Sequence, residues 1–98
     1  MIKINVKKDN ITIKGHAGYS EQGFDIVCAS VSTLAISTIN AIIRFDENAI
    51  KYEEKDGYLK IDILKHTKET AVLLENMVDL LKELEKQYNK NIKINEEV

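Results

Sequence analysis

Between Ile26 and Phe45 the chain is apolar, broken only by Ser30, Ser32, Thr33, Ser37, Thr38, Asn40 and Arg44. This stretch limits the possible folds more than any other. Read as a helix, it puts Val27, Val31, Leu34, Ile42 and Phe45 on one stripe and Ile36, Ile39 and Ile43 on others, so it is apolar on most sides. Such a helix needs cover from two directions, a sheet on one side and a second helix or a partner subunit on the other. That need is the reason to expect a homodimer. The polar interruptions make the segment a poor membrane span, so a buried helix is expected and no membrane partner.

The flanking sequence supplies the sheet. Ile2, Ile4 and Val6 alternate with Lys3, Asn5 and Lys7, a period of two that gives a strand one core face. After a turn at Lys8-Asp9-Asn10, Ile11 and Ile13 alternate with Thr12 and Lys14, which predicts an antiparallel hairpin. Ile50 and Tyr52, an Asp56-Gly57 turn, and Leu59, Ile61 and Ile63 predict a second hairpin. A second helix starts at Thr67 or a neighbour, and its apolar stripe of Leu74, Met77, Leu81, Leu84 and Tyr88 ends near Asn89. Ile92 to Ile94 reads as a short edge strand or a frayed end. The order β-β-α-β-β-α, with this possible C-terminal strand, is that of an α+β two-layer sandwich. Two helices lie on one face of a largely antiparallel sheet. With 98 residues, the chain is expected to be a single domain over 1–98.

Charge and cysteine content narrow the function. Lys and Arg number 14 against 16 Asp and Glu, a formal net charge of −2, so the overall balance recruits neither nucleic acid nor anionic lipid. A lone cysteine makes no internal disulfide and favours a reducing compartment. The first ten residues lack the pattern of a signal peptide, and a cytoplasmic protein is expected. Two His and one Cys are a thin ligand set for zinc, so neither a metal nor another cofactor is expected.

Candidate chemistry gathers in residues 15–30, GHAGYSEQGFDIVCAS, which hold three of the chain's four glycines, His16 and Cys28. With Asp25 as helix N-cap, Cys28 falls at the third helical position. There the unpaired N–H groups and the helix dipole favour a thiolate and can hold an oxyanion. His16 is separated from Cys28 by a loop bearing Gly18 and Gly23, long enough to fold back to hydrogen-bonding reach. A Cys/His pair of this kind performs nucleophilic catalysis, with the imidazole as base and then acid. Gly15 would let backbone pass close by, and Gly18 and Gly23 would let the loop move over an extended peptide.

Each of these residues also has a plainer reading. A cysteine in an apolar helix is usually a small core residue, and a histidine at a strand end is usually solvated or hydrogen-bonded. Asp25 serves either as a cap or as an orienter of His16. Ser32, one turn after Cys28, either bonds into the site or back to the preceding turn. Spacing alone leaves these alternatives open. A non-catalytic dimeric peptide-binding module is the competing function.

The pattern Gly15-His16-Ala17, Gly23, Asp25-Ile26-Val27-Cys28-Ala29 and Val31-Ser32 resembles the signature of the bacterial ribosomal-processing cysteine protease family, Prp. The resemblance spans nearly the whole chain and its order of elements. It implies a catalytic pair of His16 and Cys28, supporting roles for Asp25 and Ser32, and a homodimer. It also implies a substrate, the N-terminal extension of large-subunit ribosomal protein twenty-seven, cut after an aromatic residue. Ser30 departs from the family, which usually has a second alanine there.

Overall fold

The computed structural model describes residues 1–15 and 24–97, and within these it leaves aside the side chains of Phe24 and Asp25. The elements are β1 (Ile2–Val6), β2 (Asn10–Lys14), α1 (Phe24–Phe45), β3 (Ile50–Lys55), β4 (Tyr58–Ile63), α2 (Lys68–Gln87) and β5 (Ile92–Glu96). They form the expected α+β two-layer sandwich.

The five-stranded sheet has the order β3-β4-β2-β1-β5. Both predicted hairpins form, and they join through an antiparallel pairing of β2 with β4. The pleat puts alternate residues on one face, and here the buried set is Ile2, Ile4, Ile11, Ile13, Leu59 and Ile61. The register stacks them as Ile4 opposite Ile13, Ile13 opposite Leu59 and Ile11 opposite Ile61. Full burial of an aliphatic side chain of this size contributes about 1.5–3 kcal/mol, so a one-residue slip of any central strand would be prohibitive.

The C-terminal segment is an edge strand. β5 runs parallel to β1, with Ile2 opposite Ile92 and Ile4 opposite Ile94, and it is held at one end by Ile2 N–H to Asn91 O at 2.7 Å. The sheet is therefore mixed, with this single parallel pairing among the described residues.

Thr67 caps α2. Its hydroxyl oxygen accepts from the Thr70 N–H at 3.2 Å, satisfying one of the unpaired donors of the first turn. Leu74, Met77 and Leu81 are buried as the periodicity predicts, joined by Val78 and Thr70.

The buried stripe of α1 differs from the expected one. It is Val27, Val31, Ala35, Ile39 and Ile42; Leu34 is half-buried and Phe45 is 70% exposed. Ala35 contributes little hydrophobic weight to a sequence pattern, yet its small side chain lets the helix backbone approach the sheet and recentres the stripe. α2 packs along α1, so the second cover comes from within the chain. α1 is also long and apolar enough to cross a bilayer by composition, a property it shares with core helices, and its stripe is sealed against the sheet.

Candidate active site

β2 ends at Lys14, and Gly15 makes the bend that follows. Gly15 has φ +87°, a left-handed conformation that side-chain-bearing residues rarely adopt. A Cβ built there would lie 2.6 Å from the Met1 carbonyl oxygen. Its N–H donates to Gly57 O at 2.8 Å, which ties the exit of β2 to the β3–β4 turn. The glycine thus ends the strand without a bulge. Sequence reasoning assigned Gly15 to the approach of a peptide; its contacts with Met1 and Gly57, residues distant in sequence, carried no local signal.

His16, Gly18 and Gly23 lie outside the described residues. The expectation that Asp25 is the N-cap is corrected: α1 begins at Phe24, so Asp25 is the second helical residue and Cys28 the fifth. A shift of this size reflects the limit of reading a helix boundary from a capping-type residue. Cys28 stands one turn in from the helix start, and the unpaired N–H groups belong to the turn before it.

Cys28 lies on the core-facing side of α1 beside Val27 and Val31 and is 6% exposed. It therefore combines a place near the positive end of a long helix with an apolar wall behind it. The first favours a thiolate and the second opposes it, so ionisation there depends on a partner that stabilises the negative charge. Ser32 is half-buried one turn further on the same face. It lines a narrow crevice with Ile13, Ala35, Ile36, Glu54 and Leu59. Ser30, the residue that departs from the resembled pattern, donates its hydroxyl to Ile26 O at 2.9 Å. It closes on its own helix and leaves the Cys28 side of α1 unaltered.

The other histidine stands apart from this end of α1. His66 Nε2 is 2.8 Å from Asp9 Oδ1, at the mouth of a groove of about 360 Å³ walled by Val6, Ile11, Ile63, Leu74 and Val78.

These features fit a known class of enzyme. A family model described as "Cysteine protease Prp" matches residues 1–93, so the chain is a cysteine protease by class. It belongs to the Prp family. The ribosomal processing cysteine protease Prp of Staphylococcus aureus is 33% identical over 92 residues, covering 91% of this chain and 87% of the relative. The crystal structure of an essential ribosomal processing protease Prp from S. aureus in complex with a substrate peptide superposes with a TM-score of 0.92 at 27% identity. That match covers 99% of this chain and 100% of the other. The same S. aureus protease with a covalently linked product peptide gives a TM-score of 0.87 at 28% identity, again covering 99% and 100%.

Proposed function

We propose that this chain is an endopeptidase that removes the N-terminal extension of large-subunit ribosomal protein twenty-seven. Cys28 is its nucleophile and His16 its general base and acid. The observation that carries the reading is the fall of Cys28 near the head of α1, with Gly15-His16-Ala17 following β2, in a chain of the Prp family. The relatives' names supply the ribosomal substrate class, and the substrate peptide held by the S. aureus protease supports a peptide arm as ligand.

The chemistry follows from these positions. His16 takes the Cys28 proton, and the thiolate sulfur attacks the scissile carbonyl carbon to form a tetrahedral oxyanion. N–H groups of the first turn of α1 are the nearest backbone donors for that charge. Collapse breaks the C–N bond as His16 delivers its proton to the leaving amine, which leaves a thioester on Cys28. A water, deprotonated by His16, attacks the thioester and releases the carboxylate product and the thiol. Asp25 and Ser32 are supporting residues, Gly18 and Gly23 belong to the segment that joins His16 to Cys28, and the enzyme works as a cytoplasmic homodimer.

A peptide spanning the cleavage junction tests the assignment. The wild-type chain should cut it, and Cys28→Ala and His16→Ala should not. Equal cutting by wild type and Cys28→Ala would overturn the choice of nucleophile.

A further inference from the structure

The face of the sheet turned away from the helices is not uniformly charged. The pairing registers align Lys55 with Tyr58, Tyr58 with Lys14, Lys14 with Lys3, and Lys3 with Lys93. One rung across all five strands therefore holds four lysines and one tyrosine. Lys3, Lys14, Tyr58 and Lys93 adjoin the core residues Ile2, Ile4, Ile13, Leu59 and Ile92, and Lys55 has the parity opposite to buried Ile50, so all five point to the open face.

Adjacent rungs of the same face are arranged differently. Glu53 stands opposite Lys60 and Lys51 opposite Asp62, with Lys60 Nζ 3.7 Å from Asp62 Oδ1. Opposite charges across strands stabilise a sheet and like charges directly opposite destabilise it, so these rungs serve the fold. The lysine rung works against it, because Lys3 faces Lys14 on one side and Lys93 on the other. Among the described residues, Lys55 reaches Glu53 at 2.8 Å, whereas Lys3, Lys14 and Lys93 form no ion pair. Lys14 Nζ sits 6.0 Å from the centre of the Tyr58 ring, which keeps its charge above this face. Protection of an exposed edge accounts for Lys55 on β3 and Lys93 on β5 but not for Lys3 and Lys14, since β1 and β2 are interior strands.

We propose that this rung is a docking surface for single-stranded RNA. The three ammonium groups of Lys3, Lys14 and Lys93, which have no carboxylate partner among the described residues, complement a chain of phosphates, and Tyr58 places an aromatic ring among them, the combination used to hold single-stranded nucleic acid. The net charge of −2 conceals this surface because carboxylates such as Glu69, Glu75, Asp79 and Glu83 are carried on α2. An anionic membrane is a poorer fit, since stable attachment needs an apolar anchor beside the basic patch, and the rung has none. The choice of RNA over DNA rests on the ribosomal reading above. The rung lies at the end of the sheet where β2 hands the chain on toward α1, so RNA held there would keep a ribosomal substrate near the catalytic end.

Fluorescence anisotropy of a labelled uridine oligomer tests the proposal, with the full chain carrying Cys28→Ala so that no turnover intervenes. Raising salt from about 50 to about 200 mM should weaken binding roughly 20-fold, as about three phosphate contacts predict. Lys3→Gln, Lys14→Gln and Lys93→Gln combined should lower the salt slope by about 2, while Lys82→Gln with Lys86→Gln on α2 should leave it unchanged. Each single Lys→Gln variant should weaken binding on its own, which guards against a triple variant that fails to fold. Absence of binding at low salt, equal loss in the α2 variant, or tighter lysine-dependent binding to anionic vesicles or to polyglutamate would each overturn the assignment. Peptide cleavage by the Lys3, Lys14 and Lys93 variants on a Cys28 background, with RNA absent, should match wild type. A failure of RNA binding is thereby distinct from a failure of the protease reading.

Discussion

Gly15 and Gly57 are joined by a backbone hydrogen bond of 2.8 Å, and both have positive φ, +87° and +73°. The turn of the second hairpin thus fixes where the first hairpin releases the chain toward His16. No residue other than glycine has positive φ among the described residues. Asp56 therefore stays in the ordinary region, and the Asp-Gly turn places its left-handed residue at Gly57 alone. The two glycines are conformationally alike, and at Gly15 the space a side chain would need is already filled.

Both positions predict a loss on substitution. Gly57→Ala should lose about 1 kcal/mol, the cost of holding a side-chain-bearing residue in the left-handed region. Gly15→Ala carries the same cost and also drives a methyl to 2.6 Å from the Met1 carbonyl oxygen, so it should lose roughly 2–3 kcal/mol. Urea unfolding of the two variants measures this, and an undiminished stability of Gly15→Ala would contradict it. Gly15→Ala should also cut peptide hydrolysis disproportionately, because His16 is the next residue.

The Thr67 cap makes a second prediction. Its hydroxyl accepts from Thr70 N–H and donates to Thr70 Oγ1 at 2.9 Å, and Thr70 is buried. Thr67→Ala leaves both groups short of a partner and should cost about 1 kcal/mol, whereas Thr67→Ser should restore most of it. Thermal denaturation of the three proteins decides the matter; equal losses in both variants would place the effect in the methyl group instead.

Strand parity was legible in the sequence because it depends only on alternation: Ile2, Ile4, Ile11, Ile13, Leu59 and Ile61 are buried as read. The α2 stripe was legible for the same reason, since its polar face is unambiguous. α1 was harder. With apolar residues on most sides, no pattern distinguishes Leu34 from Ile39, and the outcome turns on Ala35, whose value is its smallness. Phe45 lies at the helix end, past the buried stripe. The parallel partner of β1 lies about 90 positions away, and no local signal marks such a pairing. At the site, Cys28 and its helix were identifiable, but Asp25 reads as a cap for chemical reasons that hold equally well inside a first turn, where a carboxylate also favours the dipole.

Acid should reveal the link between the end of α1 and α2's approach. Asp46 accepts from Asn48 N–H at 2.9 Å and from Lys65 Nζ at 3.0 Å. The Lys65 hydrogen bond, followed by that from Asn48, holds its carboxyl below the ordinary value of 3.8. A depressed folded value means the stabilisation is present above the unfolded value and is lost as pH falls through the folded one. Wild type should therefore exceed Asp46→Asn in urea midpoint at pH about 6, with the gap closing below pH about 4. A gap that persists in acid would show that the carboxylate charge is not its source. The exposure of both partners keeps the effect small.

The reactivity of Cys28 separates catalysis from packing. At 6% exposure the thiol should react slowly for want of access whatever its role, so the informative quantity is the pH at which the alkylation rate is half-maximal, which reports ionisation independently of access. If His16 stabilises the thiolate, that midpoint should lie below the free-thiol value of about 8.5 and move upward in His16→Ala. Cys28→Ala should abolish peptide hydrolysis, by roughly a thousandfold or more, while costing only about 1 kcal/mol of stability for a small lost core contact. A midpoint above 8.5 that does not respond to His16→Ala would reduce Cys28 to a packing residue and overturn the catalytic pair.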